Sequence, residues 1–247
     1  MRFWRVALVI MLLSAGIVSC GPVAPKYQDQ VLADKPLVYW RLNEATGTVA
    51  VDASGNGLSG TYEAGVALGQ AGALAGDSAA GFANLAAVLL PAAAALDVRT
   101  SVSVEAWVKP SAAGENGGIF EKTVTGVVNS QYMLMLESGV AKFRVRTAAG
   151  ALVPVDGPIL AVGSWSHLVG TFDGTTLRLY LNGAQVAQAA AAGPLAGGSG
   201  QSYVGHLSQR LYPFAGTLDE VAVFAAALSA DRVRAHYQAA EPTPSPH

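Results

Sequence analysis

The chain has 247 residues, of which 51% are apolar and only 13% charged, and it contains 28 glycines. This composition predicts a folded, turn-rich protein with a sizeable core and excludes an intrinsically disordered chain. The formal net charge of −2 argues against a strongly basic surface, and so against nucleic acid as a partner. One large β domain fits this length, because sandwiches and barrels often reach it as single domains.

The first 19 residues have the pattern of an export signal. Arg2 and Arg5 supply a positive start, residues 6–17 form an apolar stretch, and small residues precede Cys20. The apolar stretch is shorter than the about 20 residues that a membrane-spanning helix needs. We therefore predict a signal peptide over residues 1–19.

Cys20 is the only cysteine, so it has no partner for a disulfide within the chain. The sequence of residues 17–20, Ile-Val-Ser-Cys, resembles the lipobox of bacterial lipoproteins, in which the cysteine receives lipid and becomes the new N-terminus. The resemblance implies attachment to a membrane through acyl chains on Cys20. Gly21, rather than aspartate, follows the cysteine, which implies transfer to the outer membrane in a Gram-negative cell. The alternative is an ordinary cleaved signal in which Cys20 is incidental.

Two proline-containing segments flank the region that reads as a domain. Residues 20–34 are predicted to be the lipidated cysteine followed by a flexible tether. Residues 35–240 are predicted to form the domain. Residues 241–247, with the sequence EPTPSPH, are predicted to be a disordered tail, because proline cannot donate to a β-ladder or continue a helix.

Short runs with a β pattern recur along the domain, separated by glycine-rich turns. The predicted strands cover residues 38–42, 102–109, 132–137, 142–147, 166–172, 176–182, 202–206 and 217–224. Alanine-rich segments at residues 71–80, 85–96 and 185–196 score as helix on propensity. They contain Gly or Pro or lie among strand signals, so we do not assign them to helices. Many short strands with few helices predict a sandwich or jelly roll.

Residues 165–186 carry the clearest local pattern, that of an antiparallel hairpin. Asp173-Gly174 tolerates positive φ and can reverse the chain between two β-rich runs. Leucines at alternate positions of residues 176–182 then give a strand with one apolar face, and Asn182-Gly183 turns the chain again.

One helix is predicted, over residues 229–238. Ser229 can cap its first turn, and Asp231 complements the positive end of the helix dipole. Val233 and Tyr237 are spaced i, i+4 and therefore share one face. This short helix closes the domain.

Four segments, residues 38–62, 101–110, 165–186 and 214–237, resemble in that order the laminin G-like jelly rolls of the concanavalin A-like lectin and glucanase superfamily. The resemblance covers roughly residues 31–240 and is greatest to the bacterial LamG-like jellyroll domain. It implies an all-β fold, namely a two-sheet antiparallel β-sandwich of the jelly-roll type with one short C-terminal helix and with neighbouring termini.

The resemblance also implies a structural calcium ion. In such domains a D-x-S-G-N-G loop and an acidic residue of a late L-D-E strand hold the metal, and the matching residues here are Asp52, Asn56 and Asp219. Calcium takes six to eight oxygen ligands from carboxylates, amides, carbonyls and water. The alternative is a metal-free turn, because Asp, Ser, Asn and Gly form such turns without an ion.

Catalytic patterns are missing from the sequence. Enzymes of this fold use carboxylates on one strand, typically spaced E-x-D-x-x-E, and retaining glycosidases need two carboxyl groups about 5 Å apart. Glu105, Glu121 and Glu137 stand separately, and we interpret them as edge or solvent-facing charges. There is also no G-x-S-x-G elbow and no histidine pair with metal-ligand spacing. No catalytic residue is predicted.

A ligand surface is predicted from cations and an aromatic residue on polar strand faces. Arg144 and Arg146 share one face of a strand with Lys142, and Arg178 and Tyr180 lie on the polar face of the hairpin, which we place near that strand in the same sheet. Arginine forks to carboxylate or sulfate, and tyrosine stacks on a sugar ring. The alternative is a solvated face that serves solubility. The three tryptophans of the domain, Trp40, Trp107 and Trp165, are expected in the core or at corners.

These observations favour a non-catalytic lipoprotein of the cell envelope whose domain binds carbohydrate or a glycoprotein. The alternatives are a structural component of an outer-membrane assembly and an enzyme whose site the sequence does not reveal.

Overall fold

The computed structural model describes residues 26–124 and 129–240. The predicted signal peptide, the lipidation at Cys20 and the tail over residues 241–247 lie outside these residues.

The described residues form sixteen β-strands in two antiparallel sheets, with one α-helix near each end. The first sheet contains, in spatial order, β14 (Ala184–Ala190), β13 (Thr176–Leu181), β12 (Ser166–Phe172), β7 (Val102–Pro110), β16 (Gly216–Phe224), β5 (Ser78–Phe82) and β4 (Ala67–Ala71), with β1 (Val38–Trp40) also paired to β16. The second sheet contains β11 (Leu152–Ile159), β10 (Val140–Arg146), β9 (Ser130–Glu137), β8 (Gly117–Thr123), β15 (Ser202–Val204), β6 (Val88–Leu90), β3 (Gly60–Tyr62) and β2 (Val49–Ala50). Helices α1 (Tyr27–Ala33) and α2 (Ala230–Ala240) complete the fold, with short 3₁₀ turns at Ala94–Leu96 and Ser208–Arg210.

The predicted fold class is confirmed: the two sheets pack face to face as a jelly-roll sandwich, and the main core lies between them. Phe143 in β10 and Phe172 in β12 are both fully buried in that core. Gly170 in β12 leaves room for Phe143, because a Cβ at this glycine would lie 2.3 Å from the Phe143 ring. Alternate residues of the strands therefore interdigitate as the period-2 pattern predicts.

The predicted hairpin is confirmed, with β12 and β13 paired in register from Phe172↔Leu177 onwards. Asp173 Oδ1 accepts hydrogen bonds from the backbone N–H groups of Thr175 and Thr176, at 2.9 and 2.8 Å, and Gly174 has φ +96°. The alanine-rich segments contribute strands β5, β6 and β14 and no α-helix, as expected.

The predicted C-terminal helix is confirmed as α2, and Ser229 Oγ accepts from the Arg232 N–H at 3.3 Å. The prediction of a tether is wrong for residues 26–34, because helix α1 lies there. Tyr27 and Val31 of α1 are buried in a second hydrophobic cluster. The Arg232 guanidinium also binds Asp34 at 2.8 Å, so tertiary contacts hold a seven-residue helix that is too short to be stable alone.

Both helices cover the outer face of the first sheet. Their apolar residues pack with Tyr39, Trp107, Val169 and Ala222, which belong to strands of that sheet. Among the residues that the structure describes, no helix is long and apolar enough to cross a membrane.

Candidate functional site

The outer face of the second sheet is the sandwich face that neither helix covers. The cross-strand register places one residue from each of its eight strands in a continuous row. From β11 to β2 this row is Pro154, Arg144, Met133, Glu121, Tyr203, Leu89, Thr61 and Val49. Because side chains in register share a face, these residues line one surface across the whole sheet.

A loop over residues 205–214, directly after β15, folds over the middle of this row. Leu207 packs on Met133 and Met135, and the Gly118 N–H donates to the Tyr212 carbonyl at 2.8 Å. A Cβ at Gly118 would lie 2.6 Å from the His206 backbone carbon, so the approach of loop and strand depends on glycine at this position.

The side chain of Glu121, in strand β8, connects the loop to the sheet. It is only 1% exposed, and its carboxylate accepts hydrogen bonds from the Ser208 backbone N–H and from the Ser130 hydroxyl. The interpretation of Glu121 as a solvent-facing charge is wrong, because the loop closes over it.

The loop presents exposed side chains on a strained backbone. Gln209, Arg210 and Tyr212 all have φ between +48° and +59°, a region that non-glycine residues rarely adopt. The Arg210 side chain is 55% exposed and Tyr212 is 38% exposed. Strained non-glycine residues persist where surrounding contacts fix them, and they cluster at ligand-binding positions.

Four polar side chains meet where this loop begins: Tyr203, His206, Arg210 and Glu63. The rings of Tyr203 and His206 lie 5.1 Å apart between centroids. Glu63 Oε2 is 3.7 Å from His206 Nε2, and Glu63 Oε1 is 3.6 Å from Arg210 Nη2. Burial, together with the charges of Glu121 and Glu63, raises the pKa of Tyr203 above its ordinary value, so its phenol stays protonated at neutral pH.

The predicted cations Arg144 and Arg146 do share this outer face, together with Lys142. Arg144 binds Glu137 at 2.8 Å, and Lys142 bridges Glu137 and Asp156 at 3.0 and 2.8 Å. A hydrogen bond from Lys142 holds the pKa of Glu137 below its ordinary value, although partial burial opposes this shift. Arg146 donates to three oxygens, namely Ser130 O, Gly150 O and Asn129 Oδ1. All three cations are therefore held by ion pairs or hydrogen bonds at one edge of this surface.

The expectation that Arg178 and Tyr180 lie in the same sheet as Arg144 is wrong. They belong to β13 in the first sheet, whereas Arg144 belongs to β10 in the second. Tyr180 is only 2% exposed and packs in the second hydrophobic cluster, so its ring is closed to a ligand. Arg178 pairs with Asp173 at 2.6 Å beside the hairpin turn.

The three residues predicted to bind calcium have separate backbone partners. Asp52 accepts N–H hydrogen bonds from Tyr39, Ser54 and Leu58, at 2.9–3.0 Å. The Asn56 amide donates to the carbonyls of Pro36 and Leu37, at 3.0 and 3.1 Å. Asp219 accepts from the Ala73 N–H at 2.8 Å.

Burial and the neighbouring Glu220 raise the pKa of Asp219 to about 9, which favours the protonated form at neutral pH. Within residues 26–124 and 129–240, no group of three or more His, Cys, Asp or Glu side chains is arranged to hold a metal ion. These contacts favour the metal-free turn, the alternative to calcium at Asp52, Asn56 and Asp219, and a calorimetric comparison with and without calcium decides between the two.

Glu105 is fully buried beneath the two helices, in a network of polar contacts. It accepts from the Tyr27 hydroxyl at 2.7 Å and contacts His167 Nε2 at 2.7 Å and His236 Nδ1 at 2.9 Å. His236 Nε2 in turn contacts Asp34 at 2.9 Å. Burial alone would raise the pKa of Glu105, but the two histidines hold it well below its ordinary value.

The interpretation of Glu105 as a solvent-facing charge is therefore wrong. Its neighbours in the sequence, Val104 and Ala106, point into the main core, so Glu105 points to the opposite face of β7, which α1 and α2 cover. Glu105, His167 and His236 are fully buried, and their contacts dock both helices on the sheet.

The family assignment agrees with this architecture. Residues 82–234 match the family model described as the concanavalin A-like lectin/glucanases superfamily. The chain belongs to this superfamily. A search among curated proteins found no match.

Several solved structures share the fold. Domain 4 of AbnA, a GH43 extracellular arabinanase from Geobacillus stearothermophilus in complex with arabinotriose, has a TM-score of 0.61 at 21% identity, over 84% of this chain and 98% of that domain. The binding domain of Paraclostridial Mosquitocidal Protein 1 has a TM-score of 0.65 at 14% identity, over 83% of this chain and 52% of that one.

The ligand binding domain of botulinum neurotoxin serotype D, in complex with N-acetylneuraminic acid, has a TM-score of 0.65 at 13% identity. The match covers 86% of this chain and 52% of that one, so this chain spans about half the length of each of these two binding domains. At these identities the similarity shows the fold.

The sequence did not predict that Glu63, Tyr203, His206 and the loop that follows His206 belong to the candidate site. One available signal was the Gly117-Gly118 pair inside a strand, since glycine in a strand marks a close backbone approach. What approaches the strand is visible only in three dimensions.

Proposed function

We propose that this chain is a non-catalytic carbohydrate-binding module of the bacterial cell envelope, and that the outer face of the second sheet holds its ligand. The observation that carries the proposal is that the helices cover one sandwich face and leave the other with arginines, Tyr203 and an exposed, strained loop. Arginine forks to carboxylates and sulfates, and a tyrosine ring packs on the apolar face of a sugar.

The named relatives support this proposal by analogy of fold. The arabinanase domain was solved in complex with arabinotriose, and the domains of the mosquitocidal protein and of neurotoxin D are binding domains by name. A fold accommodates many functions, so the surface residues, rather than the analogy, define the experiment. The ligand is a glycan or the glycan of a glycoprotein, and acyl chains on Cys20 attach the protein to the outer membrane.

A glycan array probed with the full-length protein in detergent tests the proposed function. We expect wild type to bind a subset of glycans, and Tyr203→Ala and Arg144→Ala each to weaken that binding at least tenfold, which is about 1.4 kcal/mol. Arg178→Ala is the matched control: it removes an equally paired arginine from the first sheet and should leave binding unchanged.

Two outcomes contradict the proposal. A wild-type protein that binds no glycan and instead forms a stable complex with defined envelope proteins is a structural component. Turnover of a bound glycan identifies an enzyme.

A further inference from the structure

Two buried polar atoms face each other at the edge of the 205–214 loop without a hydrogen bond. His206 Nε2 and Glu63 Oε2 lie 3.7 Å apart, and neither has a hydrogen-bond partner among the described residues. His206 is 1% exposed, so bulk water has little access to its ring nitrogens. Such buried groups are rare in folded proteins and call for a specific cause.

The hydrogen bond on the other side of the His206 ring defines what Nε2 can do. His206 Nδ1 lies 2.7 Å from the Leu207 carbonyl oxygen, which can only accept, so Nδ1 carries the proton. In the neutral ring Nε2 is then an acceptor, and the Glu63 carboxylate is an acceptor too. Two neighbouring acceptors without a donor form a site for a group that brings two donors.

The surrounding residues limit which donor group fits. A metal ion is a poor candidate, because two protein ligands are too few for zinc or calcium. An acidic ligand group is disfavoured by the Glu63 carboxylate. Sugar hydroxyls donate and accept, and adjacent hydroxyls of one ring can reach neighbouring acceptors. The Tyr203 ring, 5.1 Å from the His206 ring, supplies the apolar surface on which the C–H face of a sugar packs.

We propose that His206 and Glu63 form a subsite for two adjacent hydroxyl groups of a neutral sugar unit, with Tyr203 packing beside them. Arg210 Nη2 lies 3.6 Å from Glu63 Oε1 and its side chain is 55% exposed, so the proposal includes movement of this side chain away from Glu63 when the sugar enters. This inference rests on the proposed function and names the sugar chemistry that the same face selects.

The test compares variants on an array that carries neutral and acidic glycans. Glu63→Leu removes one acceptor at similar size, and His206→Asn keeps a donor for the Leu207 carbonyl while removing Nε2. We expect each variant to lose neutral-glycan binding at least tenfold. Asp231→Leu, which removes an exposed carboxylate from helix α2 on the opposite face of the sandwich, is the matched control and should bind like wild type.

The outcomes separate this inference from the proposed function. If neutral glycans bind equally well to wild type and to both variants, or if wild type selects only acidic glycans, the subsite is wrong, while the surface defined by Tyr203 and Arg144 stands. If wild type binds no glycan, both proposals fail. Melting temperatures of all variants identify any loss of binding that comes from unfolding.

Discussion

At the residue scale, the family resemblance implies that Asp52 binds a metal, but the structure shows its side chain stabilising a turn by hydrogen bonds. Its two carboxylate oxygens accept three backbone N–H groups, from Tyr39, Ser54 and Leu58. A calcium ion at this position has to compete with these three donors for the same lone pairs. The turn is already satisfied by hydrogen bonds within the chain.

Removing calcium should therefore leave the protein's stability unchanged. We expect the same melting temperature in excess EDTA and in millimolar calcium. An ion present at 100 times its Kd adds about 2.7 kcal/mol to the free energy of unfolding, which raises the melting temperature of a domain of this size by roughly 5–11 °C. Differential scanning calorimetry detects such a rise easily, and observing it would establish calcium binding.

The burial of single residues was predicted correctly where it depended only on which side of the sheet faces the core. Trp40 and Trp107 are buried and Trp165 is half-buried, in agreement with the expectation that they lie in the core or at corners. Tyr180 and Glu105 were placed wrongly, because alternation along a strand assigns a side chain to one of two faces but does not reveal that helices cover the outer one. That cover comes from α1 and α2, which lie far from both residues in the sequence.

At the scale of elements, charged groups dock the two helices on the first sheet. His236 of α2 lies between Glu105 and Asp34, and Tyr27, His167 and Arg232 contact the same two carboxylates. Burial alone would lower the pKa of His236, but the two carboxylates raise it above its ordinary value. The helices are therefore held most firmly while His236 is protonated and Glu105 is ionised.

The signs of these shifts predict how stability depends on pH. A raised histidine pKa stabilises the fold below the unfolded value, near 6.5, and this contribution is lost as pH rises through the folded pKa. The lowered pKa of Glu105 stabilises the fold above about 4.5, and that contribution is lost as pH falls. The docking contacts are strongest between these limits.

Urea unfolding of wild type and His236→Gln at pH 6 and pH 9 measures the histidine contribution. We expect the stability advantage of wild type over the variant to shrink by about 1.5–3 kcal/mol between these pH values, the usual size for hydrogen bonds to charged groups. Asp219 and Glu220, whose pKa values burial raises to about 9 and about 7, also cost stability as pH rises. They are present in both proteins and cancel in the difference; a constant advantage would contradict the assignment.

Elements with a regular pattern were predicted closely, and elements without one were missed. Strands β7, β12 and β13 agree with their predicted bounds to within one residue at each end, because alternation is a local signal. Strand β8 was missed because bulges interrupt its register with β9. Helix α1 was missed because its seven residues depend on tertiary contacts rather than on propensity.

At the scale of the whole molecule, the sandwich itself could be inferred from the order of four segments, but its ligand face could not. The pairing of β15 with β8 and β6 brings residues near position 203 beside residues near 121 and 89. The intervening chain is long, so no local pattern reports these neighbours. The binding surface is a property of topology, and the sequence shows its residues only as scattered polar positions.

The proposed lipid anchor is also a property of the whole molecule, and a Cys20→Ala variant tests it. Wild type should sediment with outer membranes and partition into detergent, because acyl chains bind the bilayer by burying methylene groups. The variant should be released into the soluble fraction. Ser19→Ala keeps a small residue before the cysteine and serves as the control. Wild-type protein found entirely in the soluble fraction would contradict lipidation.

Helix α1 has a further consequence for a protein held at a membrane. If lipid is attached to Cys20, only residues 21–26 separate the anchor from helix α1. Six residues span about 20 Å at full extension. A tether running to residue 34 would reach roughly 50 Å. If Cys20 is lipidated, this short connection would hold the first sheet close to the bilayer, because α1 packs on its outer face. The opposite sheet, with Tyr203 and His206, would then face away from the lipid.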